Sequence, residues 1–245
     1  MNLAGKRVLI TGGGSGIGAD LARGFAAAGA EVVIAGRRRD ALEAIARKTG
    51  ARAVQADVTD EASVTRLFAE AGPCAIVIAN AGAAESAPFA KTSLAQWQAM
   101  LGVNLTGTFL TFREGLKQMP GWGRLIAIAS IAGLRGYPYV APYVAAKHGV
   151  VGLTKAVALE VAKRDITVNA ICPGYVATEM TERSVANIRA KTGMDEAEAL
   201  AALTKTSPQD RLIEPQEITG LALWLCSDEA RGMNGQALSL AGGEG

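Results

Sequence analysis

One histidine, His148, stands among 245 residues, and the three cysteines, Cys74, Cys172 and Cys226, lie far apart. Zinc sites draw on closely spaced Cys and His, and disulfide frameworks need a denser supply of cysteine. No metal site is expected, no disulfide is expected, and a reducing compartment is the default. Charge of one sign is also lacking. The formal net charge is +2, and the short basic run Arg37-Arg38-Arg39 is too local to mark a nucleic-acid partner. No apolar run approaches the ~20 residues a membrane helix needs. The opening Met1–Arg7 leads straight into an apolar β-rich run, so no signal peptide is expected and the chain is read as cytoplasmic. What is present is 49% hydrophobic and 20% charged residues, a composition that suits one soluble α/β domain with a large core.

Apolar runs alternate with helical patterns along the chain, which predicts a parallel sheet covered on both faces. Strands are expected at Arg7–Thr11, Glu31–Ala35, Ala51–Ala56, Ala75–Ala79, Arg124–Ser130, Thr167–Ile171 and Ala237–Leu240. Helices are expected near Ile17–Ala28, Arg39–Thr49, Glu61–Ala71, Leu94–Gln118, Tyr143–Lys163 and Pro215–Cys226. The reading is a single-domain Rossmann fold spanning 1–245, a doubly wound seven-stranded sheet with ligands at the carboxyl ends of its strands. Residues Glu179–Arg211 interrupt the alternation, being polar, helix-prone and bounded by Pro173-Gly174 and Pro208. An insertion of that length beside a site reads as a lid.

The first strand enters Gly12-Gly13-Gly14-Ser15-Gly16-Ile17-Gly18 and a helix follows. Glycines let a backbone approach a pyrophosphate, and a helix N-terminus stabilises its charge. Gly12, Gly14, Ser15, Gly16, Ile17 and Gly18 are therefore the expected dinucleotide cradle; turns that merely need positive φ would account for only some of the glycines. An NAD site usually carries a carboxylate roughly 20 residues beyond the turn, for the ribose hydroxyls. Here Gly36 occupies that place and Arg37, Arg38 and Arg39 follow. No carboxylate repels a 2′-phosphate, and a guanidinium can pair with one, so NADP(H) is preferred, with NAD(H) as the other option. Arg37 and its neighbour Arg38 are the expected clamp, and Arg39 reads as a solvated helix start. Asp57, with Val58, ends the third strand and could accept from the adenine amine; capping the helix at Glu61 is its other reading.

Tyr143 and Lys147 lie four residues apart, on one face of a helix, and Ser130 precedes them. The ammonium is expected to lower the pKa of the phenol. A phenol that exchanges a proton beside a dinucleotide cradle points to hydride transfer at a carbonyl or alcohol carbon.

Thr11-Gly12-x-x-x-Gly16-x-Gly18, Asn80-Ala81-Gly82, Asn104, Ser130, Tyr143-x-x-x-Lys147 and Pro173-Gly174 stand in the order and spacing of the classical short-chain dehydrogenase/reductases. The chain resembles that family from about Lys6 to Gly243. The resemblance implies that Tyr143 is the general acid/base, that Lys147 lowers its pKa and holds the nicotinamide ribose, and that Ser130 hydrogen-bonds the substrate oxygen. It further implies that Asn104 holds a water joining Lys147 to solvent; the plainer readings are a strand-end hydroxyl for Ser130 and a helix-bend residue for Asn104. Asn80, Ala81 and Gly82 would lie beside the adenosine ribose, and Pro173, Gly174, Val176 and Thr178 beside the nicotinamide carboxamide. Three places depart from the family pattern. Ala79 stands where Asn is usual, the span from Asp57 to Asn80 is shorter, and Ser15 stands where NADP enzymes often carry a basic residue. Cys172 reads as a small buried apolar group and His148 as structural.

Ala141-Pro142-Tyr143, Lys147-His148-Gly149-Val150-Val151-Gly152 and Val168-Asn169-Ala170 look most like 3-oxoacyl reductases (acyl-carrier-protein or CoA) and polyketide ketoreductases. The implied activity is NADPH-dependent reduction of a ketone, a 3-oxoacyl thioester first. A secondary-alcohol or hydroxyacyl-CoA dehydrogenase working oxidatively is the alternative, and a non-catalytic NADP-binding regulator a third. Leu134, Tyr137, Tyr139, Tyr175 and Met180 would form an apolar substrate wall. Carrier-protein reductases place basic residues at the rim; Arg164 matches one place, while Pro120-Gly121-Trp122-Gly123 at the other is not basic. Lid residues Arg183, Arg189 and Lys191 could meet a CoA phosphate or form a solvated helix face. The resemblance also implies a homotetramer, through Leu94–Gln118 and Tyr143–Lys163 at one interface and Leu221–Gly243 at another.

Overall fold

The strands of the computed structural model, which describes residues 2–119 and 121–244, are β1 (Arg7–Thr11), β2 (Glu31–Gly36), β3 (Arg52–Gln55), β4 (Ile76–Ala79), β5 (Gly123–Ile128), β6 (Ile166–Pro173) and β7 (Ala237–Leu240). They form one sheet in the order β3-β2-β1-β4-β5-β6-β7, with every pairing parallel. The helices are α1 (Gly16–Ala27), α2 (Arg39–Thr49), α3 (Glu61–Ala71), α4 (Leu94–Leu101), α5 (Gly107–Gln118), α6 (Ala141–Val161), α7 (Glu179–Thr192), α8 (Glu196–Thr204) and α9 (Pro215–Leu225). Met1 and Pro120, named in the leader and rim expectations, lie outside the described residues.

Side chains alternate across a strand, so each strand feeds two cores. Val8 and Ile10 of β1, Ile34 of β2 and Ile76 and Ile78 of β4 pack with Leu21 and Phe25 of α1, Leu42 of α2 and Ile218 and Ala222 of α9. Leu9, Val33 and Val77 face the other way, onto Leu67 and Phe68 of α3, Leu110 and Phe112 of α5 and Val150 of α6. Burial on both faces explains why these strands read as unbroken apolar runs. The sequence order reverses between β1 and β4, and the crevice at that switch point is where such sheets bind ligands.

The expected elements are present, with differences that have local causes. Helix Leu94–Gln118 is interrupted by a π-turn at Gly102–Thr106. There the fully buried Asn104 turns its amide Nδ2 to the carbonyls of Met100 and Ala83, at 3.0 and 2.9 Å. The capping expectation for Asp57 is corrected: Asp60 caps α3 by accepting from the Ala62 amide, while Asp57 accepts from the Thr59 amide and hydroxyl. β5 stops at Ile128, and Ser130 caps the short 3₁₀ turn Ile131–Gly133, its hydroxyl accepting from the Ala132 amide. The segment 179–211 carries α7 and α8, whose Val185, Ala199 and Leu203 form a small core with Tyr175 and Ile188 packed on it.

Candidate active site

The carboxyl end of β1 delivers Thr11 into the glycine turn. Its hydroxyl accepts from the amides of both Asn80 and Ala81 at 3.1 Å, fastening the end of β4 to that turn. Asn80 answers with its own amide group, donating to the Thr11 carbonyl at 2.9 Å and the Gly12 carbonyl at 3.3 Å. Gly18 has no room for a side chain, since a Cβ there would lie 2.2 Å from the Gly12 carbonyl oxygen. Helix α1 begins at Gly16 with no side-chain cap and no acidic residue in its first turn. The leading amides of a helix have no intrahelical acceptor, so this end is open to an anion. The protein's own residues thus fit the phosphates of a dinucleotide.

Arg37 and Arg38 follow β2 at the rim of that cradle. Arg38 donates to the Ser15 hydroxyl at 2.9 Å and approaches Glu179, the first residue of α7, at 4.0 Å. Arg37 is exposed, and its carbonyl accepts from Gln55 Nε2. Arg39 pairs with Glu43 one turn on, the solvated helix start expected for it. Burial alone would raise the Asp57 carboxyl; hydrogen bonds from Thr59, with Arg37 nearby, outweigh it and hold the carboxyl below its usual value. Val58 is buried behind it. Pro173 ends β6, Gly174 donates to the Leu240 carbonyl, and the buried Val176 bridges to Ile213. Thr178 stands close against Gly16, so the root of the 179–211 segment and the glycine turn face each other.

Tyr143 and Lys147 lie on successive turns of α6. The ammonium sits 5.5 Å from the centre of the Tyr143 ring and donates to the Ile128 carbonyl at 2.9 Å. A Cβ on Gly82 would lie 2.8 Å from Asn104 Oδ1 and 3.8 Å from Lys147 Nζ, so Gly82 is the close approach that lets these two groups share a wall. Asn104 Oδ1 accepts from the Ala83 amide at 3.3 Å. Asn104 therefore clasps the backbone after Asn80-Ala81-Gly82 on both its donor and acceptor sides.

Burial sets the electrostatics. It pushes the Tyr143 phenol up to about 12, with a hydrogen bond from Ser130 opposing and Tyr175 and Cys172 reinforcing it. It brings the Lys147 ammonium down to about 8. In the protein's own groups, desolvation of the charged form is the largest cause of both shifts. Tyr143 is accordingly held as a neutral phenol at pH 7. Burial also pushes the Cys172 thiol up to about 11, in keeping with a small apolar group. His148 is exposed, with Nδ1 on the Val144 carbonyl of its own helix.

Leu134, Tyr139 and Met180, expected in the substrate wall, are exposed. Tyr137 donates a hydrogen bond to Glu244, a residue buried to 3% exposure from beyond the last strand. That pair is not legible in the linear chain, because its members are 107 residues apart. Thr11 was legible only as part of a motif, and its double acceptor role needed β4 beside β1. The shallow depressions lined by Arg7, Glu31 and Arg52, and by Met194, Glu198 and Asp210, lie elsewhere and contain none of these groups.

A family model described as Enoyl-(Acyl carrier protein) reductase matches residues 12–244. The chain is 36% identical to a D-beta-hydroxybutyrate dehydrogenase of Rhizobium meliloti, over 97% of this chain and 98% of that protein. It is 34% identical to a 3-oxoacyl-[acyl-carrier-protein] reductase of Aquifex aeolicus, over 99% and 98%. Among solved structures, an actinorhodin polyketide ketoreductase with NADPH superposes with a TM-score of 0.92 at 34% identity, covering 98% of this chain and 97% of that one. A short-chain type dehydrogenase/reductase from Mycobacterium marinum gives 0.87 at 34% identity, covering 99% and 96%.

Proposed function

Since the chain belongs to the short-chain dehydrogenase/reductase family and is an NAD(P)-dependent oxidoreductase, we propose that it reduces a ketone with NADPH, a 3-oxoacyl thioester first. The observation that carries this reading is the rim of the cradle: β2 ends on Gly36 where a carboxylate would stand, Arg37 and Arg38 follow it, and Arg38 already reaches the glycine turn through Ser15. The nicotinamide of a cofactor held in that cradle would supply hydride to the carbonyl carbon. The chain's own groups would do the rest. Tyr143, held protonated, is in the form that gives a proton to the carbonyl oxygen. Ser130, whose hydroxyl opposes the rise of the phenol's pKa, would donate to the same oxygen as negative charge develops on it. Lys147, fixed on Ile128, would place its ammonium toward the ribose and the phenol. Asn104 would keep the Gly82–Ala83 backbone beside Lys147 and anchor a water there. Pro173, Gly174, Val176 and Thr178 would face the nicotinamide carboxamide, and the 179–211 segment would close over the substrate as a lid.

Resemblance to the actinorhodin ketoreductase and the 3-oxoacyl reductase supports the reductive direction. A second reading, oxidation of a secondary alcohol, is favoured by the hydroxybutyrate dehydrogenase. Loss of NADPH and NADH absorbance with acetoacetyl-CoA separates the two. Turnover with NADPH well above NADH is expected. Turnover absent with both, together with reduction of NAD or NADP by secondary alcohols, would replace the reductase with the dehydrogenase.

A homotetramer is part of the proposal. Leu94, Phe109 and Leu159 are exposed on α4, α5 and α6, and Trp224 on α9, the elements through which assembly is expected. Among the described residues no helix is long and apolar enough to cross a membrane. A monomer by gel filtration would refute the assembly.

A further inference from the structure

We propose that Glu179 is a specificity-determining residue for the cofactor, a carboxylate brought in by α7 that competes with a 2′-phosphate for Arg38 and lowers the preference for NADPH. The inference deepens the NADPH reading and rests on it. A site built for NAD carries its carboxylate at the end of the second strand. Here β2 ends on Gly36, and the carboxylate that reaches the same rim belongs to another element.

The root of the lid places Glu179 there. Val176 bridges to Ile213, the Ala177 amide donates to the Ile213 carbonyl at 2.9 Å, and the Thr181 hydroxyl donates to the Val176 carbonyl at 2.6 Å. Thr178 stands so close to the glycine turn that a Cβ on Gly16 would lie 3.2 Å from its methyl group. The backbone on both sides of Glu179 is therefore fixed beside that turn. Helix α1 has no acidic residue in its own first turn, so Glu179 adds to the rim a negative charge that α1 itself leaves out.

Arg38 lies between the turn and α7. Its Nη2 donates to the Ser15 hydroxyl at 2.9 Å, and its Nη1 faces Glu179 Oε2 at 4.0 Å. That oxygen also accepts from Arg183, one turn along α7, at 3.3 Å, so the carboxylate keeps a partner when Arg38 is drawn away. A 2′-phosphate pairing with Arg38 sets a more highly charged anion against a carboxylate already facing the same guanidinium. Two anions on one guanidinium lie well inside the screening length of physiological salt. The side chains of Arg38 and Glu179 are 61% and 54% exposed, so water limits the effect to the size of a surface pair. NADH has no 2′-phosphate and meets no such competition.

Fluorescence titration with NADPH and with NADH tests this without any ketone. Glu179→Gln keeps the shape of the side chain and removes its charge. It should tighten NADPH by about three- to fivefold and move NADH by less than about twofold. NADPH binding that stays unchanged or weakens relative to NADH overturns the inference. In an Arg38→Met background the same substitution should lose most of its effect, and an undiminished gain there would overturn the competition for Arg38. An unaltered protein that favours NADH, with NADPH still gaining in Glu179→Gln, would support Glu179 and sink the NADPH reading. NADH favoured with no gain in the variant would overturn both.

Discussion

Arg38 donates to the Ser15 hydroxyl at 2.9 Å, joining the residue before α2 to the residue before α1. Two stretches of backbone that a dinucleotide would touch at different phosphates are thereby already in register. The contact also occupies Ser15 as an N-cap, which leaves the first amides of α1 to an anion.

Replacing Arg37 and Arg38 together by aspartate should raise the KM for NADPH by about 100-fold and leave NADH nearly unchanged, because charge-assisted pairing gives way to repulsion. Steady-state kinetics with both cofactors checks this. Unchanged selectivity would place the 2′-phosphate elsewhere.

Tyr143→Phe should lower kcat by about 10²–10⁴-fold while NADPH binding stays close to wild type, since the ring still packs and only the proton donor is gone. Single-turnover oxidation of NADPH and its fluorescence titration separate the two quantities. Wild-type turnover would remove Tyr143 from the chemistry.

The depressed Lys147 pKa has a defined signature in stability against pH. Its folded value is about 8, below the ordinary 10.5, so between those two values the unfolded chain binds the proton and the folded one does not. Stability must rise with pH across that window, and below pH 8 the burial penalty is present in full. Lys147→Met removes the term, so the variant's stability advantage should be largest at pH 7 and should shrink by pH 10. The term is about 3 kcal/mol at most. Tyr143, raised to about 12, acts oppositely: stability falls as pH rises above 10. Urea unfolding at pH 7, 8.5 and 10 measures the Lys147 term. A difference that stays flat with pH would contradict the burial of Lys147.

Asn104→Ala should destabilise the fold by about 2–4 kcal/mol, because it strands the Ala83 amide and carbonyl and the Met100 carbonyl in a buried site. A fall in Tm of about 5–15 °C by calorimetry is the expected readout. A Tm near wild type would mean that water replaces the amide.

Much of this was legible in the linear chain. The apolar runs that became β1, β4 and β5 are continuous because both of their faces are covered, and α2 and α3 begin and end where their patterns do. The glycine turn and the Tyr143–Lys147 spacing are local, so their geometry follows from one turn and one helix. Other features are non-local. The π-turn at Asn104 forms because Ala83, brought alongside from the end of β4, offers backbone partners that a regular helix could not reach. The roles of Asp57 and Asp60 turned on where α3 begins, since the cap falls to Asp60, the residue directly before Glu61. Periodicity determined the layered fold, and local spacing determined the glycine turn and the shared helix of Tyr143 and Lys147, since those depend on side-chain period and on neighbours in sequence. Only the tertiary structure decided the directions in which burial moves Tyr143 and Lys147 and the pairing of Tyr137 with Glu244. Desolvation depends on what packs around a group, and residues 107 apart meet only when the sheet and its last strand are assembled.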